Sequence, residues 1–406
     1  MPLISALWRH LATLAAPSLR WSLRRRATRG KEIQSRLPER EGIDPTPRPP
    51  GRLVWVHAAS VGEARSMLPV LPHLAGVTVV FTTGTVTSAG LFAGGGGVLH
   101  RFVPLDVPAW VARFLDHWRP DAAVFVESEL WPNTLAACQA RGIPLLLVNA
   151  RMSEQSARGW CRAPRFAKRV LAAFDQVRAR SDADAGRLRQ LGAGGVVVAG
   201  DLKWSAPPLG VDNAELSRLQ ALLTGRPVWL AASTHPGEET LAAAIHAALV
   251  PDFPGLLTIV APRHPGRGTA VLPGVPHRAA GQDPTEGIWV VDTMGELGLL
   301  YRLAPVVFVG RSLLGRGGQN PWEPARLGCA VATGPHTANF DDAVHALQTA
   351  GALTVVPDPA ALQDWVRLML ADPARRDAAA RAGQGVATGA DDLPAATARA
   401  ILALLP

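Results

Sequence analysis

The chain has 406 residues, 41 Lys or Arg against 33 Asp or Glu, a formal net charge of +8 and 48% hydrophobic residues. That length provides for two globular domains with ample core, and a normal hydrophobic share spread along the chain excludes both a disordered polymer and a multi-span membrane protein. Its three cysteines, Cys138, Cys161 and Cys329, lie far apart with no C-x-x-C pair and no histidine cluster at zinc spacing, which excludes a disulfide scaffold, argues against a zinc site and fits a reducing cytoplasm.

Most of the positive charge sits at the N-terminus, where residues 1–41 hold nine Arg or Lys against three Glu. The segment Pro2–Leu23 is rich in Leu, with Trp8 and Trp21, but Arg9, His10 and Arg20 interrupt it. It is too broken for the roughly 20 apolar residues that span a bilayer. An interfacial helix is the better reading: its apolar face lies at headgroup level, and Arg24, Arg25, Arg26, Arg29 and Lys31 meet anionic lipid at about 1 kcal/mol each. No A-x-A-like site precedes the arginines, which disfavours an exported leader. No basic stripe with interleaved aromatics continues into the body, which disfavours nucleic acid as a partner. An ordinary packed helix is the alternative.

The expected division is a surface anchor and linker over 1–50, a first α/β domain over 51–206, a second over 207–390, and a C-terminal helix over 391–406 that packs back on the first domain. After the Pro-rich linker Pro45–Gly51, the runs Leu53–Ala58, Val77–Phe81, Ala122–Val126, Leu145–Val148 and Val196–Ala199 read as buried strands alternating with amphipathic stretches such as Ala64–Leu74 and Trp131–Ala140. Gly94–Gly97 reads as a flexible loop. Beyond Ala206–Gly210 the alternation restarts, with strands at Val228–Ala231, Leu256–Val260, Ile288–Val291, Val306–Val309 and Ala330–Ala332. The final helix is expected over Ala395–Leu405. This pattern predicts two doubly wound parallel sheets.

Open α/β sheets bind ligands beyond the carboxyl ends of their strands, and the unusual residues of this chain follow its strands. In the first half these are Ser60-Val61-Gly62-Glu63, Glu127-Ser128-Glu129, Asn149-Ala150-Arg151 and Gly200-Asp201-Leu202-Lys203. In the second they are Ser233-Thr234-His235, Pro262-Arg263-His264, Gly310-Arg311-Ser312 and Gly317-Gly318-Gln319-Asn320. Two such edges facing each other predict a cleft. Glu63 is either a base or a first-turn residue favoured by the helix dipole. Glu127 and Glu129, with one residue between them, would share a strand face, and two close carboxylates push one pKa up as a general base requires; an ion pair with arginine is the alternative. Lys203 is one of three lysines in a chain that otherwise uses Arg, and a compact ammonium suits a departing phosphate.

Arg263 with His264, Gly295 after Met294 at a helix start, and the Gly317-Gly318 loop before a helix near Pro321 offer donors to phosphate. Glu323 either accepts ribose hydroxyls or is a first-turn carboxylate. G-x-x-x-x-G-K-[ST], G-x-G-x-x-G after the first strand and G-x-S-x-G are all missing, which argues against a P-loop NTPase, a standard NAD enzyme and an ordinary serine hydrolase.

The stretches HAASVGEARS from His57, ESELWPN from Glu127, NARMSEQSARGW from Asn149, GDLKW from Gly200, APRHPGR from Ala261, DTMGELGLLY from Asp292 and GGQNPWEPA from Gly317 together resemble the 3-deoxy-D-manno-octulosonic acid (Kdo) transferases of lipopolysaccharide synthesis. The resemblance implies a GT-B glycosyltransferase of two facing doubly wound domains with an N-terminal membrane-surface helix, held at the cytoplasmic face of the bacterial inner membrane. It implies inverting transfer of Kdo from CMP-Kdo to a lipid A precursor, with no cofactor and no metal. It places the general base on Glu63, the charge-stabilising residues on Glu129 and Lys203, and the donor contacts on Pro262, Arg263, Met294, Gly295, Glu296, Asn320, Pro321, Trp322 and Glu323. The chain departs from the family pattern at Arg311, where a second glycine is usual, and at Gln319, where histidine is usual. A nucleotide-sugar epimerase and a non-catalytic peripheral nucleotide-binding protein are the rival readings.

Overall fold

The computed structural model describes residues 3–92, 97–205, 207–264, 272–285, 287–315 and 317–406. Gly94 to Gly96 of the expected glycine loop, Ala206 at the expected domain boundary and Pro265 to Arg267 of the APRHPGR stretch lie outside them. The chain forms two compact units, one from residues 1–206 with 390–406 and the other from 207–389.

The first unit holds a seven-stranded sheet of β1 (Leu53–Ala58), β2 (Thr78–Thr83), β3 (Val98–Phe102), β4 (Ala122–Val126), β5 (Leu145–Ala150), β6 (Gln176–Ala179) and β7 (Val196–Val198), in the order β3-β2-β1-β4-β5-β6-β7. Every pair is parallel. Helices cover both faces of such a sheet, so its inner strands are apolar at every position; β1, β4 and β5 are buried along their whole length. The sequence reading missed β3 and β6. His100 and Arg101 interrupt the first and Gln176 and Arg178 alternate through the second, which gives neither a continuous apolar run.

The helix expected over Ala64–Leu74 spans Val61–Met67 and is followed by a 3-10 turn at Leu71–His73. Pro69 and Pro72 lack the N–H groups that would extend it. The C-terminal helix, Leu393–Leu402, belongs to this unit: Ala398 and Ile401 join the core formed by Val54, Val56, Val124 and Val148.

The N-terminal helix runs over Leu3–Ala27. It packs on Pro108–Trp118 and Pro132–Gln139, and is fastened by the Trp8 indole N–H to Asp106 at 3.0 Å and by Arg20 to Glu41 at 2.7 Å. Its other side leaves Leu7, Leu14 and Trp21 58%, 77% and 62% exposed. Among the described residues no helix is long and apolar enough to cross a membrane.

The stretch expected to be a linker is not a free spacer. Arg48 donates to the Trp118 carbonyl at 2.8 Å and pairs with Asp121, His117 donates to the Thr46 carbonyl, and Arg101 binds Asp44. Prolines fix the direction of this segment, but its charged and carbonyl groups bind it to the domain. Just before it, Arg40 and Glu32 form a buried ion pair at 3.0 Å.

The second unit holds β8 (Val228–Thr234), β9 (Leu257–Pro262), β10 (Gly287–Val290), β11 (Val306–Val309), β12 (Ala330–Thr333) and β13 (Leu353–Val355), parallel in the order β10-β9-β8-β11-β12-β13. Its core gathers Trp229, Ile245, Val260, Phe308, Trp365 and their neighbours. Each sheet therefore reverses its strand order once, between β1 and β4 and between β8 and β11. The chain crosses in opposite directions at that point and leaves a crevice at the strand ends.

Candidate active site

In the first unit the expected residues gather around the β1–β4 reversal. The chain leaves β1 through Ala59 and Ser60 into the helix Val61–Met67. The Ser60 hydroxyl accepts the Glu63 N–H at 3.3 Å and donates to Glu63 Oε1 at 2.8 Å, while the Ala59 N–H donates to Glu63 Oε2 at 2.8 Å. This is a capping arrangement, with Ser and Glu three residues apart satisfying the free donors at a helix start. Its structural role does not exhaust Glu63. Burial, seconded by the charges of Glu129 and Glu127, holds its carboxyl above the ordinary value, against the hydrogen bonds from Ser60 and Ala59.

Glu127 and Glu129 do not share a strand face, contrary to expectation. β4 ends at Val126, and Glu127 has φ +58°, so the chain turns out of the sheet before either carboxylate. The two acids face different partners: Lys203 Nζ lies 2.6 Å from Glu127 Oε1, while Glu129 Oε2 lies 3.2 Å from His57 Nε2 and accepts the Trp131 indole N–H at 2.6 Å. Burial pushes Glu129 up, but the bond and charge of His57, with Trp131, outweigh it and hold the carboxyl below its ordinary value. The acid with raised proton affinity is therefore Glu63 and not its neighbour Glu129.

Lys203 is placed by a buried clamp. Asn149, at φ +51° near the end of β5, donates to Asp201 Oδ1 at 3.0 Å and accepts the Leu202 N–H at 2.9 Å, and Asp201 Oδ1 accepts the Lys203 N–H at 2.9 Å. His57 is the participant that sequence reasoning passed over. The only signal was a polar residue inside an otherwise apolar strand, LVWVHA.

In the second unit, Pro262 and Arg263 at the end of β9, Met294, Gly295 and Glu296 after β10, and Ser233 near the end of β8 line one small pocket of ≈ 60 Å³. The Glu296 carboxylate is committed to Arg278, at 2.8 Å, and to the Thr293 hydroxyl; Arg278 in turn pairs with Glu215 at 2.6 Å. The expected helix start at Gly295 falls two residues early: Gly295 takes φ +83° and the helix is Leu297–Leu303. Asn320 accepts the Trp322 N–H at 3.0 Å and donates to Glu323 Oε1 at 3.1 Å. Burial raises the Glu323 carboxyl, while the bond from Asn320 and the charge of Arg263 pull it back, which ties Glu323 electrostatically to the pocket. Pro321 and Trp322 are buried beneath.

Glu238 crosses the β8–β11 reversal: its Oε2 accepts the His235 N–H at 2.9 Å and the Arg311 N–H at 2.7 Å. Arg311 has φ +58°, a left-handed conformation that costs an L side chain roughly 1–2 kcal/mol. The departure from glycine thus falls where the backbone itself favours glycine. Gln319 faces His235, nitrogen to nitrogen, at 3.4 Å. Among the described residues no group of three or more His, Cys, Asp or Glu gathers where a metal could be held.

A family model described as 3-deoxy-D-manno-octulosonic-acid transferase (kdotransferase) matches residues 35–206. The chain is 36% identical over 407 residues to a probable 3-deoxy-D-manno-octulosonic acid transferase, mitochondrial, of Arabidopsis thaliana, covering 94% of this chain and 91% of the relative. It is 36% identical over 402 residues to the 3-deoxy-D-manno-octulosonic acid transferase of Bordetella pertussis, covering 91% and 92%. In fold it is similar to the UDP-GlcNAc 2-epimerase of Neisseria meningitidis, with a TM-score of 0.58 over 87% of this chain and all of that one, at 13% identity.

Proposed function

Since the chain belongs to the 3-deoxy-D-manno-octulosonic acid transferase family and is a glycosyltransferase of GT-B fold, we propose that it moves Kdo from CMP-Kdo to a lipid A precursor with inversion. One observation carries the assignment of roles: a half-buried carboxyl with raised proton affinity, Glu63, stands beside two carboxylates that each have a basic partner, Glu127 with Lys203 and Glu129 with His57. A general base near neutrality needs such a setting.

In this reading Glu63 takes the proton from an acceptor sugar hydroxyl. The oxygen attacks the anomeric carbon of Kdo from the face opposite CMP, and the bond to the phosphate oxygen breaks with its electron pair on CMP. Two lone-pair positions of the Glu63 carboxylate serve Ser60 and Ala59; a carboxylate has about four, so the proton still has a place. The ionised Glu129 offsets positive charge developing at the anomeric carbon, and Lys203 and Arg263 meet the negative charge on the leaving phosphate. Pro262, Met294, Gly295, Glu296 and the segment Asn320–Glu323 hold the nucleotide. The exposed apolar side of the N-terminal helix and its terminal arginines seat the protein on the cytoplasmic face of the inner membrane, where the acylated acceptor resides.

Incubating the purified protein with CMP-Kdo and a tetra-acylated lipid A precursor, then weighing the lipid by mass spectrometry, tests this reading. Addition of Kdo is the expected result. Unmodified lipid from a protein that still binds CMP would overturn it, and release of a soluble isomerised sugar would favour the epimerase alternative, which rests on fold alone.

A further inference from the structure

At the β1–β4 reversal a buried imidazole stands between a hydroxyl and a carboxylate. His57 is 1% exposed. Its Nδ1 lies 3.0 Å from Thr82 Oγ1 and 3.2 Å from the Thr82 carbonyl, and its Nε2 lies 3.2 Å from Glu129 Oε2. Trp55 donates to the same Thr82 hydroxyl at 2.8 Å, and the rings of Trp55 and Phe125 flank the imidazole.

Proton bookkeeping narrows what this arrangement does. An ionised carboxylate only accepts, so the Nε2 that faces Glu129 must carry hydrogen. The other nitrogen is satisfied in either charge state of the ring. A neutral imidazole takes a hydrogen bond from the Thr82 hydroxyl, and an imidazolium gives its second N–H to the Thr82 carbonyl. In both cases an N–H points at Glu129.

We propose that His57 is a positioning residue for the transfer reaction: held by Thr82, it keeps Glu129 ionised and in place beside Glu63. The inference rests on the reading of Glu63 as base given above. Among the described residues, the charged groups around this site are Glu63 from the helix Val61–Met67, Glu127 and Glu129 from the segment after β4, Lys203 from the turn after β7 and, past the end of β2, Arg40, which donates to the Thr83 and Gly84 carbonyls. β2 contributes only the uncharged Thr82, and β4 only the ring of Phe125. Each flanking carboxylate thus has a basic partner of its own, Lys203 for Glu127 and His57 for Glu129, whereas among the described residues Glu63 has only the neutral donors Ser60 and Ala59. Ionisation of the two neighbours leaves the exchangeable proton of the cluster to Glu63.

The test is the pH dependence of kcat/KM for wild type, His57→Leu, His57→Gln and Thr82→Val, with thermal melting to confirm folding. Wild type should lose activity toward acid with a slope of one, the titration of Glu63. Without the N–H, Glu129 takes a proton in the same range as Glu63, so the acid limb of His57→Leu should steepen toward two and move up by roughly one pH unit. Its kcat should fall about tenfold or more, with the KM for CMP-Kdo unchanged. Gln places an amide N–H near the position of Nε2 and should restore the slope of one. Thr82→Val leaves Nδ1 facing only a carbonyl, which draws the ring hydrogen to Nδ1 and turns the Nε2 lone pair toward Glu129, so kcat should fall as it does in His57→Leu. A His57→Leu profile that is merely scaled down at every pH, with Gln no better than Leu, overturns the proposal. If His57→Leu does not fold, a Gln profile steeper than wild type or a Thr82→Val enzyme with the kcat of wild type overturns it equally. Wild type that transfers no Kdo at all instead refutes the reading of the function.

Discussion

Replacing Glu63 by Gln separates the two duties that one side chain performs. A glutamine at this position keeps the capping arrangement, because its carbonyl accepts the Ala59 N–H and its amide donates to Ser60 Oγ; both bonds are 2.8 Å in the wild type. It cannot accept a proton. Loss of a positioned general base costs about 10²–10⁴ in rate, or roughly 3–5 kcal/mol of barrier at 1.36 kcal/mol per tenfold. Stability moves the other way. The Glu63 carboxyl is raised by burial and by the charges of Glu129 and Glu127, so the folded state binds its proton more tightly than the unfolded chain does. The stability gained from this group is present below the ordinary glutamate range and is lost as pH rises through the folded value. At neutral pH the wild type therefore carries a destabilising, half-buried charge that Gln lacks. The expected outcome is a variant with transfer reduced by 10² or more, CMP binding intact by calorimetry, and a melting temperature at pH 7.5 equal to or above wild type, the difference shrinking toward pH 4. Near-normal turnover would remove Glu63 as base, and a melting temperature several degrees lower would show that the carboxylate is mainly structural.

Arg263→Ala and Glu323→Ala should each weaken CMP binding measured by calorimetry at least severalfold, with little change in fold; unchanged affinity in both would contradict the donor assignment. His100 is held down to about 4 by burial and by Arg36, Arg101 and Arg40, so the first unit should lose stability as pH falls from about 6.5 to 4, by on the order of 1–2 kcal/mol after allowance for solvent screening. His100→Gln should flatten that limb in pH-dependent denaturant melts, and an unchanged limb would count against it. Arg311→Gly relieves a left-handed arginine but loosens the unfolded chain, so the two effects should cancel to within about 1 kcal/mol, and a loss above about 2 kcal/mol would show that the arginine side chain is itself needed. Deleting residues 1–30, which spares the buried Glu32–Arg40 pair, should abolish co-sedimentation with anionic vesicles while transfer to detergent-dispersed acceptor persists; equal sedimentation with and without the segment sinks the anchor.

Both doubly wound sheets were legible because their inner strands are buried on both faces and so read as unbroken apolar runs. The edge strand β13 and the strands β3 and β6 escaped because partly solvated or polar-lined strands carry residues such as Thr354, His100 and Arg178 that are common in loops as well. Glu63, Lys203 and Arg263 were legible as residues placed just past strand ends. What periodicity misjudged was the exit from β4: alternation persists only while the chain remains extended, and Glu127 leaves the extended region at once. His57 was hidden for the opposite reason. Inside an apolar strand a histidine reads as core, and only the pairing register of β1 with β2 and β4, which sets His57 against Thr82 and Phe125, shows that it connects one strand to the acidic segment after another.

The clamps explain why the same residues satisfy a structural and a chemical description. Where a sheet reverses its strand order, adjacent strand ends send their chains apart, and the backbone N–H groups there have no ladder partner. In each unit a carboxylate takes up such donors: Glu63 accepts from Ala59, and Glu238 accepts from both His235 and Arg311. A carboxylate fixed to rigid backbone at a crevice is already oriented and partly desolvated, and orientation with desolvation is also what general-base catalysis asks for. The difference between the two units lies in the neighbours. Among the described residues Glu63 has Glu127 and Glu129 beside it and no ion-pair partner, whereas the buried Glu238 is spent on two N–H groups that join β8 to β11. Charge context, more than local geometry, therefore separates the acid proposed to react from the acid that holds the fold together, and removing the charge beside the first by Glu127→Gln should alter the pH profile of transfer without altering the CMP affinity of the second unit.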